Sequence, residues 1–131
     1  MIDVEIDVFD RIYPSVAPLV APGGFRSIYV PNPSAFPCAT LYEVDNTTYA
    51  QFRSSSRTED YAAITYEANV YALKKDECRR VMNALDTAMI ALGFTRITST
   101  FVPNLADGSI FRYVARYQAV ADQNKVIYRR R

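Results

Sequence analysis

The residues with reactive potential in this chain are few, and their spacing argues against most chemistries. There is no histidine among the 131 residues, which removes the usual general base near neutral pH and the commonest transition-metal ligand. The two cysteines, Cys38 and Cys78, lie far apart without a CxxC spacing. They read as buried free thiols rather than as a metal site or a disulfide. Glu59 and Asp60 are adjacent carboxylates, but neighbours on a strand point to opposite sides, so a solvated acidic loop accounts for them better than an acid–base pair. No nucleophile elbow, Walker-type loop or dinucleotide fingerprint occurs, and Gly23-Gly24 alone is turn chemistry. No catalytic, metal-binding or cofactor-binding set is assigned, and the chain reads as something other than an enzyme.

Arginine and its charge partners are the remaining candidates. Arg112 and Arg116, flanked by Tyr113 and Tyr117, combine phosphate-binding and base-stacking residue types. At strand spacing the arginines and the aromatics fall on opposite faces, so they do not form one nucleic-acid platform. Salt bridges or contacts between subunits suit these arginines better. Arg53, Arg57 and the terminal arginines can brush a phosphate backbone without reading sequence. Charge is distributed unevenly, with Asp3, Glu5, Asp7 and Asp10 at the start and Lys125, Arg129, Arg130 and Arg131 at the end, although the net charge is only +1. Two solvated termini would explain this. The sharper alternative is complementary charge between neighbouring copies, which sets orientation more than affinity. The candidate assembly-interface residues are therefore Asp3, Asp7, Asp10, Arg53, Arg57, Arg112, Arg116, Arg129, Arg130 and Arg131.

The element that must position these residues is the stretch Lys74 to Phe94. Its apolar residues Cys78, Val81, Met82, Leu85, Ala88, Met89 and Leu92 form a stripe down one side of a helix expected over about residues 74–92. Asp76 and Glu77 suit the positive end of the helix dipole, and Gly93 can close the helix in a left-handed conformation. Upstream, Ile2, Ile6, Phe9, Tyr13 and Val16 suggest a helix over roughly residues 3–13, with Pro14 and Pro18 breaking the pattern beyond it. Strands are expected over Phe25–Val30, Phe36–Asp45, Tyr61–Leu73, the stretch from Phe94 to the Pro103-Asn104 stop, and Ile110–Ala121. Asp107-Gly108 is the expected turn before the last of these. Residues 46–60 read as a polar loop or hairpin tip, and residues 124–131 as a basic carboxy-terminal tail.

Length and a 50% hydrophobic composition indicate one foldable domain over residues 1–131. No apolar run approaches the roughly 20 residues that span a bilayer. The acidic amino terminus is unlike a signal peptide, so synthesis in the cytosol is expected. The order of elements predicts an α+β fold in two layers: a mostly antiparallel sheet with the long amphipathic helix across one face. The amino-terminal helix would pack beside it or against another subunit.

The segments VPNLADGSIFRYVARYQAVAD and VIYRR, together with NVYALKKDEC, VMNALDTAMIALGFTR and FPCATLYEVDN, resemble the tail-completion or tail-terminator proteins of long-tailed bacteriophages. These are often described as minor capsid or head–tail joining proteins. The resemblance covers roughly Phe36 to Arg130, and its motifs are structural rather than catalytic. It implies a homo-oligomeric ring, typically hexameric, at the tail–neck junction of the virion, assembled in the host cytoplasm. Such a ring caps the tail tube, ends its polymerisation and meets the neck or connector proteins. DNA passes through the lumen without sequence-specific binding, and no membrane or cofactor is involved. A head-side connector is the alternative within the same particle, and a small nucleic-acid-associated protein a more distant one.

Overall fold

A computed structural model describes residues 1–30, 33, 35–48, 61–103 and 108–129. It is an α+β fold with two α-helices on one face of a curled, six-stranded, mostly antiparallel sheet. In chain order the elements are α1 (Glu5–Val16), a 3-10 turn (Ala17–Leu19), β1 (Phe25–Arg26), β2 (Cys38–Thr48), β3 (Tyr61–Ala72), α2 (Lys75–Leu92), β4 (Thr95–Val102), β5 (Phe111–Asp122) and β6 (Ile127–Arg129). The strand order is β1-β2-β3-β5-β4, with β6 also pairing to β5. Only the short β1–β2 pair is parallel.

The long helix follows its expected stripe. Cys78, Val81, Met82, Leu85 and Met89 are buried against the sheet, and Ala88 and Leu92 pack at the margin of the same core. Gly93 takes φ 116°. Its N–H bonds to the Ile90 carbonyl at 3.1 Å and that of Phe94 to Met89 at 3.0 Å, a closure of the Schellman type. Phe94 is thereby driven into the core, edge-on to Tyr66 with ring centroids 5.4 Å apart. The facing side of β3 consists of Ala62, Ile64, Tyr66, Ala68, Val70 and Ala72, all buried. Ala62, Ala68 and Ala72 let the helix approach closely while Ile64 and Tyr66 fill the remaining space.

The amino-terminal helix differs from expectation in two ways. It runs through Pro14 to Val16. Pro14 lies on the exposed side, while the buried Ile12 and Val16 on either side of it hold the backbone helical; packing outweighs the lost hydrogen bond. The buried ridge is Val4, Val8, Ile12 and Val16, a strict four-residue spacing, whereas Ile6 and Tyr13 are exposed. This helix packs on α2 and β2 of its own chain.

Strand limits also shift. β1 stops at Arg26 rather than Val30, leaving Ile28 and Tyr29 exposed; the prolines that follow cannot donate to a ladder. β2 begins at Cys38, after Pro37, and continues past Asp45, with Asn46, Thr47 and Thr48 paired to Ile64, Ala63 and Ala62. The first residues of the expected polar loop are thus strand, and residues 49–60 lie outside the described residues, as does Asp107 of the expected turn. Within the expected basic tail, Ile127–Arg129 forms β6 against β5. Its turn is held by Asp122, whose Oδ1 accepts from the backbone N–H groups of Asn124 at 2.9 Å and Val126 at 3.0 Å.

Candidate assembly interface

The face of the sheet away from the helices carries a connected row of polar side chains. Because β2, β3 and β5 are in register, Tyr42, Glu67 and Arg116 stand side by side, as do Thr40, Asn69 and Val114. Arg116 donates from Nε and Nη2 to Glu67 Oε1 at 3.2 and 3.1 Å. Tyr42 and Asn69 donate to the other carboxylate oxygen. Arg112 donates from Nε and Nη2 to Asn69 Oδ1 at 3.0 and 2.8 Å and lies over the Tyr71 ring. Burial opposes the charged form of Glu67, but the hydrogen bonds from Tyr42, Asn69 and Arg116 and the Arg116 charge outweigh it, so its carboxyl sits below the ordinary range. Burial, and then the bond to Glu67, push Tyr42 up to about 12. This row fixes the register of the long strands, since a one-residue slip would separate every pair in it.

The sequence-assigned arginines therefore divide. Arg112 and Arg116 are engaged within their own chain, although Arg116 keeps half of its side chain exposed. Arg129 contributes backbone to β6 opposite Ala119. Arg53, Arg57, Arg130 and Arg131 lie outside the described residues. At the other end of the charge asymmetry, Asp3 Oδ1 accepts from the Glu5 N–H at 3.0 Å at the start of α1. Asp7 meets Lys125 at 3.7 Å. Asp7, Asp10 and Arg11 line one wall of an open cleft of about 590 Å³ whose other wall is Leu92 and residues 124–127. Asp7 from the acidic start and Lys125 from the far end thus meet within one chain, through an exposed ion pair of little energetic weight.

Among the described residues the sheet has two unlike open edges. β4 pairs with β5 on one side only, and from Arg96 to Val102 no strand lies beside its outer edge among the described residues. Its residues from Thr95 to Thr100 are all exposed. On the far side, β1 pairs with Ala39 and Thr40 alone, so β2 has no outer strand neighbour from Leu41 onward among the described residues. Each edge carries one bulge, between Glu43 and Asp45 in β2 and between Arg96 and Thr98 in β4. Each bulge exposes one aliphatic residue, Val44 and Ile97. Sequence reasoning missed these edge residues because edge status depends on strand order, which periodicity does not encode. The polar row left a trace in Thr65, Glu67 and Asn69, polar residues at every second position of an otherwise apolar strand.

Both cysteines are free and buried, and burial pushes each thiol up to about 11. No group of three or more His, Cys, Asp or Glu side chains is arranged to hold a metal ion among the described residues. Among the described residues no helix is long and apolar enough to cross a membrane. No protein-family model matches the chain, and no curated protein matches it.

Proposed function

We propose that this protein is a structural subunit of a phage tail terminator. It forms a closed ring, with six copies the number that the family resemblance implies, which caps the tail tube, ends its growth and joins the tail to the neck. The observation that carries the reading is the pair of unlike sheet edges, β4 and β2, that no other described strand covers along most of their length. A ring contact is heterologous, so each copy needs two different, complementary edges and a framework stiff enough to fix the angle between them. The in-register row Tyr42–Glu67–Arg116 supports the second requirement. The polar stretch of residues 49–60 that links β2 to β3 is the part we assign to contact with the tube or lumen, and DNA passes through the ring without being read.

The test is to add purified protein to polymerising tube protein at a small molar ratio and measure tube lengths by electron microscopy. Shorter tubes with a ring at one end are expected. Unchanged length distributions with no terminal density would refute the reading.

A further inference from the structure

The geometry points to the contact that closes the ring: β4 of one copy pairs antiparallel with β2 of the next, with Arg96 of the first opposite Glu43 of the second and the exposed Ile97 and Val44 on either side of that pair. This inference rests on the ring reading and names its interface. Strand direction supplies the first argument. β2 is antiparallel to β3, β3 to β5, and β5 to β4, so β4 runs opposite to β2. A second copy placed in the same orientation beside β4 presents its β2 antiparallel, the more stable pairing, and an exposed edge strand is a template for such addition.

Level along the sheet supplies the second. Glu43 pairs with Tyr66, Tyr66 with Tyr117, and Tyr117 with Arg96, so the acidic and basic edge residues occupy one continuous row. The bulged residues Val44 and Ile97 flank that row. Both are open to solvent, 40% and 51% exposed, in positions where a neighbouring copy would cover them.

Charge supplies the third. Glu43 is crowded by acids of its own chain. Burial, and then the charge of Glu5, lift its carboxyl above the ordinary range, with Asp3 and Asp45 adding to the effect. Its one described partner is the Asn46 amide at 3.4 Å. A cation from a second copy would relieve this crowding. Arg96 is suited to supply it: it bonds Asp86 at 3.0 Å while 46% of its side chain stays exposed, and a guanidinium has donors enough for a second carboxylate.

The full-length Val44→Cys, Thr95→Cys double variant tests the pairing, because an antiparallel pair with Glu43 opposite Arg96 sets Val44 opposite Thr95. Oxidised under mild conditions, it should give a ladder of disulfide-linked multimers, while each single variant stops at dimers or monomers. Cys38 and Cys78 are buried and do not interfere. A ring of normal mass with no ladder would overturn the pairing and leave the ring reading standing. Absence of any ring, in solution and on isolated tails, would overturn both. Glu43→Lys is the second variant: it should weaken ring assembly on the order of tenfold without lowering the thermal stability of the monomer, because it replaces a crowded acid. Wild-type assembly by Glu43→Lys would overturn the charge pairing.

Discussion

Replacing Asn69 with alanine tests whether the polar row holds the sheet together. Asn69 is wholly buried. Its Oδ1 accepts from Arg112 at 3.0 and 2.8 Å, and its Nδ2 donates to Glu67 at 3.2 Å and to Tyr42 at 3.3 Å. Hydrogen bonds to charged groups contribute about 1.5–3 kcal/mol each and neutral ones about 1 kcal/mol. These bonds share one side chain, so they do not sum, and the expected loss is about 2–4 kcal/mol. Against a total stability on the order of 5–15 kcal/mol, this is a large fraction, and the melting temperature should fall by roughly 10 °C. Urea unfolding followed by circular dichroism measures it, with the slope unchanged if only the native state is affected. Asn69→Asp sharpens the test. One oxygen still accepts from Arg112, but the other faces Glu67 where the amide donated at 3.2 Å. Two carboxylates at that distance share a proton, which raises a pKa in the folded state. A raised folded-state pKa stabilises at low pH and is lost as pH rises, so the deficit relative to wild type should widen from pH 4 to pH 7. An alanine variant within about 0.5 kcal/mol of wild type would refute the reasoning.

Three further predictions follow from single features. Gly93→Ala should cost about 1–2 kcal/mol by thermal unfolding, because Gly93 has φ +116° and a Cβ there would lie 3.4 Å from Ile127. Native protein at neutral pH should react with an aromatic disulfide reagent only as fast as it opens, releasing both thiols at once in urea, since Cys38 and Cys78 are buried and held protonated. Above pH 10 stability should fall: Tyr42 titrates near 10 when unfolded and at about 12 when folded, so its contribution is complete below pH 10 and is lost between these values. Tyr66 and Tyr117, also raised by burial, carry part of the drop, and Tyr42→Phe should lessen it without abolishing it.

The long helix was legible in the sequence because its stripe, its acidic first turn and Gly93 all agree, and consistent local signals leave few alternatives. The alternation of β5 was legible over its second half, where Ala115, Tyr117 and Ala119 are buried and Arg116 is exposed, while Phe111 at its start is exposed. The end of the first helix is not legible in the sequence because proline propensity stops it at Tyr13, whereas packing, which fixes Val8, Ile12 and Val16 in the core, carries it through Pro14. β6 was hidden within a charged stretch, and what makes Ile127–Arg129 a strand is a long-range partner, β5. The partners of Arg112 and Arg116 are likewise illegible: strand spacing separates both from the neighbouring tyrosines, but Asn69 and Glu67 become their neighbours only through the register of β3 and β5.

The central claim, that this protein ends and joins a phage tail, is tested most directly by electron microscopy of a lysate in which its gene is interrupted. Overlong tails of variable length, lying apart from DNA-filled heads, are the predicted result. Normal, infectious particles, or tails of normal length that only fail to join heads, would contradict it.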